Sequence, residues 1–135
     1  MDLDVAMRVA SSGLKVQAAR LRVIAENLAN AESTPRTPGD EPYRRKLLEV
    51  ASRRDRQSGA TLVQVRAYRV DEREPPKRYM PDHPAADAAG YVRFPNVNPL
   101  VELVDMREAQ RSYEANLNVM HMARAMLQRT LDILR

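Results

Sequence analysis

Residues 3–30 read LDVAMRVASSGLKVQAARLRVIAENLAN, and the spacing of the apolar residues in this stretch decides the fold. Steps of four and three residues alternate without a break along one stripe, made of Leu3, Met7, Ala10, Leu14, Gln17, Leu21, Ile24 and Leu28. This is the a/d heptad repeat of a coiled-coil helix, with Gln17 as its single polar member. At 1.5 Å per residue such a helix is roughly 40 Å long. We therefore predict an N-terminal helix over residues 3–30, ending ahead of Pro35.

A second stripe runs through the end of the chain. Asn98 is a favourable N-cap residue and Pro99 suits a first helical turn, so a helix is predicted from Pro99 to Arg135. Steps of three or four residues join its apolar positions, which are Leu103, Met106, Ala109, Tyr113, Leu117, Met120, Ala123, Leu127, Leu131 and Leu134. This spacing places the stripe on one helix face.

The middle of the chain has shorter patterns. Tyr43–Ala51 and Thr61–Val70 are predicted strands, and the polar stretch Arg53–Gly59 between them indicates a β-hairpin. In the second strand, alternation places one set of residues on the buried side: Thr61, Val63, Val65 and Ala67. Glu74–Gly90 is rich in Pro, Ala and Asp and is predicted to be an irregular connector.

Together these elements predict a mainly α fold, in which two long terminal helices pair as a coiled coil around a small middle region that contains the β-hairpin. The predicted divisions are an N-terminal helical part (1–31), a loop and hairpin region (32–98) and a C-terminal helix (99–135). A pair of helices buries only part of each apolar stripe, and other subunits normally cover the remainder. The pattern therefore indicates a protein that assembles.

Composition limits the classes of function. The chain has 135 residues, a net charge of +4 and no cysteine, which excludes disulfides and cysteine-based metal or redox chemistry. Its first residues lack the basic and apolar regions of a cleavable signal peptide, and no stretch is long and apolar enough to span a bilayer. By these rules alone the protein would be cytoplasmic.

Motifs of catalysis and ligand binding are missing from the sequence. His83 and His121 have no partner at metal-ligand spacing, and the glycines are isolated, so we expect no catalytic, cofactor-binding or metal site and no enzymatic activity. The carboxylate pairs Asp71/Glu72 and Glu102/Asp105 are interpreted as solvated charge.

Two basic clusters, Arg44–Lys46 and Arg53–Arg56, raise nucleic-acid binding as a competing hypothesis, to be tested by its salt dependence. The aromatic residues expected of a single-strand binder do not interleave with them, which favours a solvated hairpin face or charge contacts between subunits.

Three stretches carry a family resemblance: VIAENLANA at 23–31, NVNP at 96–99 leading into Val104-Asp105-Met106, and EAQRSYEAN at 108–116. Together they resemble the N- and C-terminal signatures of the flagellar axial proteins, the rod, hook and hook-associated subunits. Within this family the chain resembles the short rod subunits, both at Pro42–Lys46 and around Gly90. Its length points the same way, since larger rod and hook proteins carry an added middle domain.

The resemblance implies a structural subunit of the proximal rod, assembled helically through its terminal helices into a hollow drive shaft that transmits motor torque. It implies export through the flagellar type III apparatus without a cleaved signal and a place in the basal-body rod that spans the periplasm, which replaces the cytoplasmic expectation. The implied partners are further copies of the chain, other rod proteins, the hook–basal-body junction protein and the export apparatus. Nucleic acid, membrane insertion and cofactors are not expected.

Physical roles follow for residues in and near these signatures. Asn27 and Asn30 would bond carbonyls at the helix end or a neighbouring chain, Asn96 and Asn98 would fix the start of the last helix, and Tyr113 suits an interface. Capping or packing within the chain accounts for each of these equally well. The predicted assembly residues are Leu3, Met7, Leu14, Leu21, Ile24, Asn27, Leu28, Asn30, Asn96, Asn98, Met106, Gln110, Tyr113, Asn116, Leu117, Met120, Leu127 and Leu131.

Overall fold

The structure is a computed structural model that describes residues 2–135. In chain order its elements are α1 (Leu3–Ala29), β1 (Lys46–Arg54), β2 (Thr61–Val70), β3 (Lys77–Tyr79), β4 (Tyr91–Arg93) and α2 (Pro99–Ile133). The strands form two small sheets, β1 with β2 and β3 with β4. The predicted arrangement of two terminal helices around a small β-containing middle is therefore confirmed.

Side chains at the helix ends explain where the helices begin and end. The Asp2 carboxylate accepts hydrogen bonds from the backbone N–H groups of Asp4 and Val5, at 3.0 and 3.3 Å, and so caps α1. Asn98 caps α2 by accepting from the N–H of Leu100 at 3.1 Å, as predicted. At the end of α1 the Asn30 amide donates to the carbonyl of Glu26, at 2.8 Å. No non-glycine residue of the described chain has a positive φ, so Asn30 is not a left-handed cap.

The chain divides into two compact units. Unit 1 comprises Met1–Leu21, Leu48–Ala67 and Arg107–Arg135, and unit 2 comprises Arg22–Leu47 and Tyr68–Met106. Both helices and the β1–β2 hairpin contribute residues to each unit.

In unit 1, α1 and α2 lie side by side in antiparallel directions. The Arg20 guanidinium of α1 lies 3.7 Å from the Glu108 carboxylate of α2. Gly13 precedes Arg20 in α1 and faces Asn116, which follows Glu108 in α2, so the two helices run in opposite directions. A Cβ atom on Gly13 would lie only 2.7 Å from the Asn116 Oδ1, so glycine permits this close approach. Heptad packing of the two helices as a coiled coil stays a prediction.

The hairpin differs from its prediction in two respects. The first strand begins at Lys46 rather than Tyr43 and continues to Arg54, so the turn is confined to about residues 55–60. At the turn Asp55 N donates to Ala60 O, and at the other end of the hairpin Asp71 N donates to Arg45 O. Between these two bonds the β2 side of the hairpin is one residue longer than the β1 side.

That extra residue is a β-bulge, and it breaks the predicted alternation. Leu62 is half-buried, Val63 is exposed, and the half-buried positions then continue at Val65 and Ala67. The backbone N–H of Val63 donates to the Ser12 hydroxyl of α1, at 3.3 Å. The prediction that Thr61 and Val63 lie on the buried side is wrong for this reason, since both are exposed.

Unit 2 contains strands that the sequence pattern did not predict. The supposed connector Glu74–Gly90 includes β3, which pairs antiparallel with β4 so that Arg78 faces Val92. Val92, Phe94 and Ala85 form a small buried cluster beside these strands. Gly90 precedes β4 with φ of +85°, and a Cβ atom there would lie 2.8 Å from the Tyr79 ring, so only glycine fits this position without strain.

Candidate functional site

A group of polar side chains in unit 2 connects α1, the segment before β1 and the start of α2. We call Asn27, Tyr43, Arg45, Asn96 and Glu102 the signature cluster. Asn27, only 1% exposed, accepts hydrogen bonds from the backbone N–H of Lys46 at 2.9 Å and from the Tyr43 hydroxyl at 2.8 Å. Its amide donates to the Lys46 carbonyl at 3.0 Å. Asn27 therefore binds the first residue of β1 and the segment before it, rather than the carbonyls at the end of its own helix.

Glu102 is the charged member at the centre of the cluster. It is 1% exposed, its carboxylate accepts a hydrogen bond from the Arg45 guanidinium, and Asn27 Nδ2 lies 3.4 Å away. The interpretation of Glu102 as solvated charge is wrong. An acidic residue in the first turn of α2 interacts favourably with the helix dipole, as Glu102 does. Its side chain nevertheless points into the protein, where a buried carboxylate requires a partner such as Arg45.

Asp71 is a second carboxylate whose solvated interpretation is wrong, since it is 8% exposed. Hydrogen bonds from the Arg73 side chain, the shortest 2.6 Å long, hold the pKa of Asp71 below its ordinary value. Asn96 continues the network, because its oxygen accepts from Arg45 N at 2.7 Å and its amide donates to the Asp71 carbonyl at 3.0 Å. Asn96 thus fixes the segments before β1 and after β2 rather than the first turn of α2.

The remaining predicted residues of α1 are all at least partly covered. Ile24 is 4% exposed, and the other members of the stripe are half-buried, as is Asn30. Those half-buried members are Leu3, Met7, Leu14, Leu21 and Leu28. The face of α1 that carries the heptad stripe is therefore the face that packs.

The stripe on α2 divides at Ala123. Before it, Ala109 is fully buried and several predicted residues are half-buried, namely Met106, Tyr113, Asn116 and Met120. Beyond Ala123 every residue is exposed, including Leu127 at 39% and Leu131 at 52%. Gln110 and Leu117 are also exposed. The end of α2 thus presents apolar side chains that the described residues do not cover.

Sequence reasoning missed a second exposed apolar surface, on the first turns of α2. Leu100 is 73% exposed and Val104 is 66% exposed, with Val101 and Leu103 at 47% each. The signal was available, because four of the five residues from 100 to 104 are apolar and cannot all lie on one stripe. Glu102, the one polar residue among them, faces inward.

Within residues 2–135, no set of three or more His, Asp or Glu side chains is placed to hold a metal ion, and His121 is exposed. His83 bonds the Thr34 hydroxyl at 3.2 Å and the backbone N–H of Ala85 at 3.0 Å, which is a loop-fixing role. Nor does any helix of this range have the length and apolarity to cross a membrane.

A groove in unit 1 has a volume of about 590 Å³ and lies between α1 and β2. Apolar side chains such as Met7, Leu62 and Met120 line it, with Arg8 and Lys15 beside them. Of its two serines, Ser12 donates its hydroxyl to the Val9 carbonyl at 2.7 Å.

Comparisons with known proteins agree with the terminal signatures. Residues 7–36 match the family described as "Flagella basal body rod protein", and residues 88–133 match "Flagellar basal body rod FlgEFG protein C-terminal". The two matched ranges contain the stretches at 23–31, 96–99 and 108–116 that carried the resemblance.

Relatives are similar over nearly the whole chain. "Flagellar basal-body rod protein FlgC" of Agrobacterium fabrum is 48% identical over 133 residues, which cover 98% of this chain and 96% of that protein. The protein of the same name in Salmonella typhimurium is 39% identical, with 93% and 92% covered. That of Bacillus subtilis is 35% identical, with 94% and 95% covered. These relatives are structural rod proteins and not enzymes. Because they are 35–48% identical to this chain over more than nine tenths of its length, the chain belongs to the FlgC family of flagellar basal-body rod proteins.

Proposed function

We propose that the chain is a structural subunit of the bacterial flagellar proximal rod. In this proposal copies assemble helically through their terminal helices and, with other rod proteins, form the hollow shaft that transmits motor torque for motility. α1 and α2 pair as a coiled coil within each copy, and the exposed remainder of α2 continues the seam onto a neighbour.

The observation that carries the proposal is the uncovered end of α2. Both helices rise 1.5 Å per residue, and Gly13 faces Asn116, so Leu3 comes opposite about residue 126 of the antiparallel α2. The last residues of α2 therefore extend past the start of α1, and Leu127 and Leu131 are exposed there. An apolar face of this kind normally contacts another subunit.

Localisation and partners follow from the same proposal. The subunit belongs to the basal body, where its neighbours are other rod proteins and the hook–basal-body junction protein. It reaches that place through the flagellar type III export apparatus, without cleavage of a signal peptide. The predicted assembly residues act at these contacts, apart from four that are already engaged within the chain: Asn27 and Asn96 in the signature cluster, Ile24, which is buried, and Asn98, which caps α2.

Mass spectrometry of hook–basal bodies purified from the source bacterium tests the proposal. We expect peptides of this chain in amounts comparable to those of other rod proteins. Absence of the chain from preparations rich in those proteins would overturn the proposed function.

The role of the α2 end is tested in a strain that lacks the native copy. We expect the Leu127→Asp/Leu131→Asp variant to abolish swimming in soft agar, because two carboxylates would have to be buried against a neighbour. Asn118→Asp/His121→Asp is the matched control, since it introduces the same groups at exposed polar positions of the same helix and should leave swimming intact. Equal swimming of the two variants would contradict an assembly role for this end.

A further inference from the structure

The end of β1 and the turn that follows it carry exposed arginines on a fixed backbone. Asp55 closes the turn through hydrogen bonds from Asp55 N to the Ala60 carbonyl and from Gly59 N to the Asp55 carbonyl, each of 2.8 Å. The Ser58 hydroxyl donates to the Asp55 carboxylate at 2.7 Å, and this bond is the main reason that the pKa of Asp55 lies below its ordinary value. Since Arg8 of α1 also lies 3.7 Å from that carboxylate, the one acidic residue of the turn is already engaged.

Arg53, Arg54 and Arg56 form what we call the arginine tip. All three are exposed, and within residues 2–135 their guanidinium groups take part in no ion pair and no hydrogen bond. Guanidinium groups match the geometry of carboxylates and phosphates. No aromatic residue lies between residues 46 and 67, so the tip lacks the stacking surface of a single-strand nucleic-acid binder. Carboxylates of a protein surface are the better counterpart.

Unit 2 presents such carboxylates on the segment after β2. Glu72 and Glu74, which we call the acidic loop, are exposed and pair with no cation among the described residues. Arg73, which separates them, is held by Asp71 and so does not neutralise them. The backbone of the loop is fixed, because the Arg73 carbonyl accepts hydrogen bonds from Asn96 at 3.1 Å and from Arg44 at 3.3 Å.

The two units also differ in net charge, in the same sense as the arginine tip and the acidic loop. Unit 1 has 12 cationic and 7 acidic side chains, a net charge of +5, whereas unit 2 has 10 and 11, a net charge of −1. Segments whose backbone is already rigid lose little conformational freedom when their opposite charges bring them together.

We propose that the arginine tip of one copy binds the acidic loop of a second copy of this chain. The inference rests on the proposed function and names one of the contacts between copies. Because the two surfaces differ, the contact is head-to-tail, and repetition of such a contact generates a ring or an open helical array rather than an isologous dimer.

Disulfide trapping tests this contact directly, because the chain contains no native cysteine. Arg54→Cys and Glu74→Cys copies are co-expressed, and basal bodies are isolated and oxidised. We expect a disulfide-linked dimer from this pair. Arg54→Cys combined with Asp40→Cys, another exposed acidic position of unit 2, should give none. Absence of the dimer from basal bodies that contain both copies overturns the contact.

Charge exchange provides an independent arm. Arg54→Glu/Arg56→Glu should reduce the chain in purified basal bodies about tenfold or more, since like charges would face each other. Adding Glu72→Lys/Glu74→Lys to the same chain should restore it.

Unchanged incorporation of the reversed tip overturns the inference. Loss without rescue assigns the tip to a different acidic partner, or to nucleic acid if the purified parent chain binds DNA at physiological salt, and overturns the contact between copies. Failure of the proposed function is distinguishable, because the unmodified chain itself would then be missing from basal bodies.

Discussion

The Glu102 carboxylate and the Arg45 guanidinium meet across 57 residues of chain, in a site where Glu102 is 1% exposed. Replacing Glu102 by Ala leaves Arg45, itself largely buried, with only the more distant Asp105 carboxylate at 3.5 Å. Removing one partner of a buried ion pair costs more than the pair contributes. We expect Glu102→Ala to lower the free energy of unfolding by about 3 kcal/mol. The measurement is a urea titration, because urea is uncharged and does not screen ion pairs.

Glu108→Ala is the control for that measurement. Its carboxylate also pairs with an arginine of the same chain, Arg20, but Glu108 is 65% exposed and the two groups are 3.7 Å apart. We expect a loss below about 1 kcal/mol. Similar losses for the two variants would mean that burial does not govern the Glu102 pair.

Single residues were the least predictable level of this protein. An acidic residue in a first helical turn is favourable whether or not it is buried, so the local sequence did not reveal the inward direction of Glu102. Asn27 likewise stands at the end of α1, where capping is the common role, yet it binds Lys46 and Tyr43. Such contacts depend on which distant segments meet, and periodicity carries no information about that.

Within α1, Gly13 is a place where helix propensity and packing oppose each other. Alanine would stabilise the helix itself by about 0.5–1 kcal/mol. Its Cβ atom, however, would lie 2.7–2.9 Å from three atoms of the Asn116 amide, which is half-buried and donates to the Ser112 carbonyl at 2.9 Å. Overpacking costs about 1–3 kcal/mol, so we expect Gly13→Ala to lower the midpoint of thermal unfolding.

The test of this explanation is the double variant. With Asn116→Ala the obstacle is removed, and Gly13→Ala should then raise the unfolding midpoint relative to Asn116→Ala alone. Gly39→Ala is the control substitution, because nothing lies within 4 Å of its added Cβ, and it should change the midpoint little. If Gly13→Ala destabilises both backgrounds equally, Asn116 is not the cause.

Secondary-structure elements were predictable in proportion to their length. The heptad and the 3–4 spacing repeat many times over 27 and 35 residues, so both helices were placed to within two residues at each end. β3 and β4 have three residues each, which is too short for an alternating pattern to emerge. The bulge in β2 moved Val63 to the exposed side, although its type and position favoured the buried one.

At the scale of the whole molecule, the two units differ in what holds them together. Unit 2 has the buried cluster of Val92, Phe94 and Ala85 and the hydrogen-bonded network around Glu102 and Asn27. Unit 1 depends on helix contacts through small buried residues such as Ala109 and Ala123. The family membership followed from the terminal signatures, whereas this unequal distribution of buried contacts required the structure.

This difference predicts how the free subunit behaves before assembly. Long helices without enough packed surface are marginal in water, and beyond Ala123 no residue of α2 is buried. In hydrogen–deuterium exchange of a verified monomer, we expect the amides of residues 124–133 to exchange fastest among the helical amides and those around Val92 to be protected. Incorporation into basal bodies should slow the exchange of residues 124–133, since a neighbour then covers their apolar side chains. Strong protection of that segment in the monomer would contradict this prediction, because its helix would then be stable without a partner.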